Sequence, residues 1–290
     1  MTGSRRLHTA FPGASTRHPG ANSAETVTEA AGGRNTSPLR SLARVRSIRR
    51  ITIRLYLSDP HALQVDATVV AVDGDSLACD RTCFYPGGGG QPPDQGSITL
   101  ANGDVLAVAA AGADADGVVW HVVGVAPSPA LVGARVRLAV DRERRLILAR
   151  HHTALHVLNT TALRDYGGWI TGVQIGVEHS RIDFKVDGWS PAMCAGLERT
   201  VNAVLAADRA LRSYDISEAE FRARDDLRRT LRAEPPVIDG RVRVVEIEGF
   251  DVQACGGTHV DRTSEVGRVS IYRTENKGRL NKRMYLRLSA

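Results

Sequence analysis

Two histidines four residues apart, in His152-Thr153-Ala154-Leu155-His156, fall on one helical face and can then share a metal ion. Alone, such a pair is as readily a core or surface feature. Further along, Cys255-Gly256-Gly257-Thr258-His259 offers a thiolate and a third imidazole across a Gly-Gly turn that can fold both around one ion. Three imidazoles and one thiolate make a tetrahedral set whose softness and geometry suit Zn2+, one ion per chain. A metalloprotease helix would need Glu directly after the first His, and Thr153 stands there, so zincin proteolysis is excluded. His151 is out of phase with His156 and reads as a packing neighbour. Cys79 and Cys83 lie in a β pattern without a His or Cys partner nearby, so a second zinc is not expected.

A second feature is Phe84-Tyr85-Pro86-Gly87-Gly88-Gly89-Gly90-Gln91, followed by Pro92-Pro93-Asp94-Gln95-Gly96. Consecutive glycines permit close backbone approach by another surface, and their N–H groups suit an anion or a sugar-phosphate chain. No Gly-Lys-Ser/Thr follows and no helix opens, so the loop is neither a Walker loop nor a dinucleotide fingerprint, and no nucleotide cofactor is expected. Gly88, Gly89, Gly90 and Gln91 are therefore candidate substrate contacts, a flexible turn between strands being the alternative. Near the C-terminus Arg268, Arg273, Lys277, Arg279, Lys282, Arg283 and Arg287 face only Glu275. This ribbon could contact phosphate or could be a solvated face.

The elements that must position these groups change character along the chain. Residues 1–48 are rich in Ser, Thr, Ala, Gly and Arg without a hydrophobic period, and read as a disordered tail. A transit peptide would share that composition, but no convincing amphipathic face supports one. From residue 49 to 140, short β-type runs at 51–57, 67–72, 77–85, 96–100, 105–109, 118–123 and 135–140 are separated by turn residues, Asn102-Gly103 being the plainest hairpin signal. They suggest a small antiparallel β-barrel. Residues 141–290 read as α+β: a helix over 141–166 with Leu146, Ile147, Leu155, Leu158 and Leu163 as its apolar stripe, stopped by Gly167-Gly168, then an extended piece over 170–184, and a helix opened by Ser190-Pro191 and running to about Leu211. A capping box at Ser217-Glu218-Ala219-Glu220 starts a third helix to about Leu231, and strands at 242–248, 267–274 and 283–288 close the chain.

Composition bounds the function classes. The 290 residues are 42% hydrophobic and 24% charged, the balance of an ordinary globular chain with room for two domains. No apolar run is long enough to span a bilayer, so no membrane partner is expected. Four unevenly placed cysteines do not make a disulfide framework, and a reducing, cytoplasmic location fits. The net charge of +6 misleads, because residues 1–50 hold nine Arg against two Glu while the remainder carries 29 basic and 30 acidic residues.

In this order, Phe84–Gln91, His152–His156, Ser180-Arg181-Ile182-Asp183-Phe184 and Cys255–Val260 resemble the editing part of alanyl-tRNA synthetase and its free-standing AlaX relatives. The resemblance covers about residues 51–288. It implies a β-barrel followed by a zinc-bearing two-layer α+β editing domain, also similar to that of threonyl-tRNA synthetase, with no room for aminoacylation. It implies that His152, His156, Cys255 and His259 ligate zinc, and that the Gly-rich loop is held against the editing domain. Thr171 and Gln174 fall where the family places polar side chains facing the amino acid. His151-His152 replaces the family's single His before Thr.

The implied activity is hydrolysis of the ester of misacylated tRNA in trans, most directly Ser-tRNA(Ala) or Gly-tRNA(Ala). Two alternatives are the same reaction on a tRNA carrying another hydroxylated amino acid, such as threonine or an analogue on tRNA(Thr), and a zinc-stabilised RNA-binding module without catalysis. Candidate catalytic residues are Thr171, Gln174 and Asp183, and candidate tRNA contacts are Arg181, Lys277, Arg279 and Lys282 beside the loop residues. Arg181 and Asp183, two apart, reach the site together only if their strand face is the site, so Arg181 is equally a structural partner. Oligomeric state is not readable.

Overall fold

The computed structural model describes residues 52–230 and 234–289; the expected tail over 1–48 lies outside the described residues. The fold is mixed, with several antiparallel sheets and few helices.

The first half is one seven-stranded sheet in the order Val105–Val108, Gly96–Leu100, Arg135–Val140, Gln64–Asp73, Ser76–Cys79, Val119–Val122, Ala110–Ala113. Asn102-Gly103 makes the expected hairpin, with Gly103 at φ +90° and the Leu100 N–H donating to the Asp104 carbonyl at 2.8 Å. The closed barrel expected from the sequence is corrected: the ladder is open. Its two end strands are separated only by Ala109, so the chain itself, rather than a hydrogen-bonded pair, joins the edges. Phe84, Leu77, Ile98 and Leu138 fill the interior. Cys79 and Cys83 are core residues there, and burial pushes both thiols up to about 12.

His121 is sealed into the same core. Its Nδ1–H donates to the Leu77 carbonyl (3.2 Å), so Nε2 must accept from the Thr82 hydroxyl (2.8 Å), whose oxygen accepts the Phe84 N–H (3.0 Å). Burial lowers the His121 pKa to about 4, below the ordinary 6.5. The unfolded chain therefore takes up this proton first on acidification. The His121 contribution is complete above the unfolded value and is lost as pH falls from about 6.5 to about 4, on the order of 3 kcal/mol in full. Urea unfolding of His121→Gln should show a flatter pH dependence over that window than the parent protein; equal slopes would refute the assignment.

The second half is built around the helix Arg142–Tyr166. Asp141 caps it, accepting from the Arg144 N–H, and Gly167 ends it at φ +65°. Residues 151–162 are buried on every side, and Leu146, expected in the apolar stripe, is exposed. A single stripe does not describe this helix, which is enclosed along 151–162 and open to solvent near its start. It packs against the helix Pro191–Ala206, the strand Trp169–Gln174 and the strand Asp251–Ala254 together. One four-stranded antiparallel sheet runs Trp169–Gln174, Ser180–Lys185, Asn281–Ser289, Arg268–Asn276, with Ile182, Phe184, Met284 and Leu286 facing the helices. A second pairs Arg241–Ile247 with Leu211–Ser217, Val237–Ile238 and Asp251–Ala254.

Three further expectations are revised. The second helix ends at Ala206, and Leu211 opens a strand because Leu211–Ser217 pairs antiparallel with Arg241–Ile247. The third helix is only Glu218–Arg222, although Ser217 caps it as the motif required. The first β run is a two-residue strand, Ile53–Arg54, followed by the helical turn Leu55–Ser58. Among the described residues no helix is long and apolar enough to cross a membrane.

Candidate metal centre and its brace

The long helix presents His152 and His156 toward the loop that follows Asp251–Ala254, and this loop carries Cys255 and His259. One ligand atom from each of the four lies within 4.8 Å of every other. The Cys255 Sγ is 3.4 Å from Nε2 of both His152 and His259. Burial lowers all three imidazole pKa values, that of His156 to about 3, so the rings are neutral and each has one bare nitrogen able to ligate. Nδ1 of His156 is buried without a hydrogen-bond partner, a cost that a metal ligated by that nitrogen would relieve. Burial pushes the Cys255 thiol up, whereas the Gly257 N–H pointing at its sulfur at 3.4 Å favours the thiolate. The cluster is thus a group of side chains that could hold a metal ion.

The side chains of the cluster are held from behind. Gln91 Oε1 accepts from His152 Nδ1–H at 2.8 Å and from the Thr258 N–H at 3.1 Å, while its Nε2 donates to the Thr258 hydroxyl at 2.8 Å. This leaves His152 Nε2 free to face the cluster, the arrangement by which an outer residue sets a ligand's tautomer. Thr153 does the same for His259, its oxygen lying 3.1 Å from Nδ1 and also accepting the Val260 N–H at 3.4 Å. Arg243 anchors the loop through its Nη1, which donates to the carbonyls of Cys255 (3.0 Å) and Gly257 (2.9 Å). A side chain at Gly257 would place its Cβ 2.2 Å from the His152 ring, so only glycine lets the loop lie on that imidazole.

The Gly-rich loop reaches the centre by a tight turn. Gly89 and Gly90 have φ of +57° and +86°, and Gln91 N–H donates to the Gly88 carbonyl at 2.9 Å, a turn only glycine adopts at low cost. The Gly90 carbonyl accepts the Ile175 N–H at 2.7 Å, and a Cβ on Gly90 would stand 2.6 Å from the Val173 carbonyl oxygen. Gly88, Gly89 and Gly90 stay exposed, but Gln91 is buried. Gln91, expected among the substrate contacts, is here bonded to His152 and orients that ring.

The other candidates each have a partner of their own in the sheet or its hairpin. Thr171 donates to Asn281 Oδ1 at 2.8 Å, and Gln174 is exposed and accepts from Arg181 Nε at 2.7 Å. Neither bonds to a member of the His–Cys cluster. Asp183 forms a two-point ion pair with Arg283, whose Nε and Nη2 donate to its two oxygens at 2.7 and 2.8 Å. Arg181 lies on the same face, its Nη1 3.7 Å from Asp183. Lys277 pairs with Glu275 at 2.7 Å, Lys282 bonds the carbonyls of Gly278 and Arg279, and Arg279 is exposed beside them in the hairpin turn. His151 is buried in the helix core. Sequence reasoning missed Thr153 and Thr258 although both lie inside the quoted motifs, and Arg243 carried no signal.

Comparisons with known proteins agree with this geometry. Residues 242–285 match the family described as the threonyl and alanyl tRNA synthetase second additional domain. An alanyl-tRNA editing protein AlaX-M from Methanosarcina acetivorans is 34% identical over 81% of this chain and 98% of its own length. AlaX-M from Saccharolobus solfataricus is 32% identical over 81% and 98%. An alanine–tRNA ligase from Korarchaeum cryptofilum is 38% identical over 83% of this chain but 27% of its own. At that identity, over nearly the whole of the free-standing relatives, the chain belongs to the AlaX-M family of alanyl-tRNA editing proteins.

Proposed function

We propose that the chain hydrolyses the aminoacyl ester of misacylated tRNA(Ala) in trans, with Ser-tRNA(Ala) or Gly-tRNA(Ala) as substrate and one Zn2+ as its metal. Family membership makes it a hydrolase acting on misacylated tRNA. The observation that carries the reading is the braced cluster of His152, His156, Cys255 and His259 beside an exposed glycine turn. Zinc is favoured by donor type. Tetrahedral Zn–N bonds of about 2.0–2.1 Å and a Zn–S bond of about 2.3 Å require N···S edges of roughly 3.5 Å, and two such edges here measure 3.4 Å. When bound, the ion would supply a positive anchor for the aminoacyl-adenosine end.

The chain's own residues do the rest of the work in this reading. Gln91 and Thr153 orient the imidazoles, and the closely packed Gly257 shields the His152 ring. The turn's own hydrogen bonds use the amides of Gly88 and Gln91, which leaves those of Gly89 and Gly90 to donate to an ester oxygen or a phosphate. Thr171 and Gln174 stay as candidates for reading the substrate hydroxyl, each after exchanging its present partner. The description of the matched family, which names threonyl as well as alanyl synthetases, supports a second substrate, a hydroxylated amino acid on tRNA(Thr).

Single-turnover deacylation over a panel of mischarged tRNAs tests both. Seryl- or glycyl-tRNA(Ala) should be hydrolysed at least ten times faster than alanyl-tRNA(Ala). A preference for threonyl-tRNA(Thr) would establish the second reading, and hydrolysis of none would overturn the proposal.

A further inference from the structure

The four-stranded sheet has one face against the helices and one face open, and the open face is not an ordinary polar surface. Tyr272, Tyr285 and His179 form a triangle on it, with ring centroids 6.1 to 6.3 Å apart. Tyr272 is 43% exposed, and none of the three belongs to the hydrophobic core. A β-bulge arranges this. The pairing register slips between Ile271 and Arg273, so Ile271 turns to the core while Tyr272, the extra residue, joins Arg273 in view of solvent.

Cations accompany the rings. The guanidinium of Arg273 lies 5.0 Å from the Tyr285 centroid and that of Arg287 lies 5.4 Å from the Tyr272 centroid. Arg181 and Arg283 extend the same face, against Asp183 and Glu275 as its acids. A cavity of about 260 Å³ adjoins it, lined by Gln174, Gly176, Val177, Glu178, His179 and Arg181. Its wall thus shares Gln174 with the strand on which the Gly90 turn docks. Exposed rings interleaved with guanidinium groups on an antiparallel sheet match the needs of single-stranded RNA: π faces for bases and positive charge for phosphates.

We propose that this face, centred on Tyr272 and Tyr285, is a stacking platform for unpaired nucleotides of the tRNA substrate, with Arg273 and Arg287 flanking the backbone. The inference rests on the reading of the chain as a tRNA deacylase, and it assigns binding to residues outside the His–Cys cluster. A purely structural role for the rings predicts a different result, because exposed cross-strand pairs add little beyond local stability.

The test is binding of uncharged tRNA to the full-length protein by Tyr272→Ala, Tyr285→Ala and the aromatic control Tyr272→Phe, with Arg287→Gln as a variant that leaves both tyrosines in place. Each alanine variant should bind roughly 5- to 100-fold more weakly while Tyr272→Phe stays within about twofold. Arg287→Gln should lower the salt slope of binding by about one. Single-turnover hydrolysis at saturating enzyme should keep its rate, so that the loss sits in KM. Thermal melting guards against unfolding, and Tyr272→Leu replaces any alanine variant that melts early. Binding within twofold of the parent in both tyrosine variants overturns the platform. If the parent deacylates no tRNA yet binds it through the tyrosines, the deacylase reading fails and the platform stands.

Discussion

Cys255→Ala is expected to strip the metal from the purified protein and to abolish ester hydrolysis with it. The reason is charge. Three imidazoles made neutral by burial contribute no formal charge, so the Cys255 thiolate is the one anion offered to a dication in this cluster. Arg243, bonded to the carbonyls on either side of the turn, adds a positive charge nearby. Removing the thiolate leaves a buried dication facing a guanidinium. Loss of an outer-shell partner typically weakens metal binding about 10- to 100-fold, and loss of the charged ligand itself should exceed that range. Elemental analysis after dialysis against a weak chelator checks it, with Cys194→Ala as the thiol control. One metal per chain retained in Cys255→Ala would overturn the ligand set.

The His–Cys cluster was legible in the sequence because each rule behind it is local. Two imidazoles at helical spacing share a face whatever the helix packs against, and Gly256-Gly257 allows Cys255 and His259 to converge. The boundaries were less legible where tertiary contacts decide them. Leu211 continues a helical apolar pattern, yet the partner that makes it a strand, Ile247 in Arg241–Ile247, is remote in sequence. Leu146 fits an apolar stripe, but the helix is enclosed along 151–162 and exposed near its start. The role of Gln91 was hidden for the same reason. A glutamine after four glycines suggests a ligand contact, and only the fold reveals His152 at 2.8 Å from its side chain. For Thr171, Gln174 and Asp183 the sheet supplies what the sequence could not show, the present partner of each side chain: Asn281, Arg181 and Arg283.

Asp94→Ala is expected to cost about 3–5 kcal/mol of stability, the usual penalty for leaving a buried charge without its partner. Asp94 is fully buried, and Arg145 on the long helix nearly so. The Arg145 Nε lies 3.0 Å from both carboxylate oxygens, its Nη2 also reaches Asp94 and donates to the Cys83 carbonyl at 2.7 Å, and the Tyr85 N–H donates to Asp94 Oδ2 at 2.6 Å. The pair ties the Gly-rich loop to the helix that bears His152 and His156. Attraction between the two charges roughly offsets their desolvation, so the pair is not a source of large net stability. Its effect is on geometry. With Asp94 gone, the loop loses its anchor three residues after Gln91, His152 Nδ1 loses a fixed acceptor, and metal affinity should fall by about 10- to 100-fold. An Asp94→Leu, Arg145→Met double variant removes both charges and should unfold at a higher urea concentration than either single variant, yet bind metal no better than Asp94→Ala. A stability loss below about 1 kcal/mol in Asp94→Ala would mean that water reaches Arg145, and metal affinity equal to the parent's would mean that Gln91 is held by Thr258 alone.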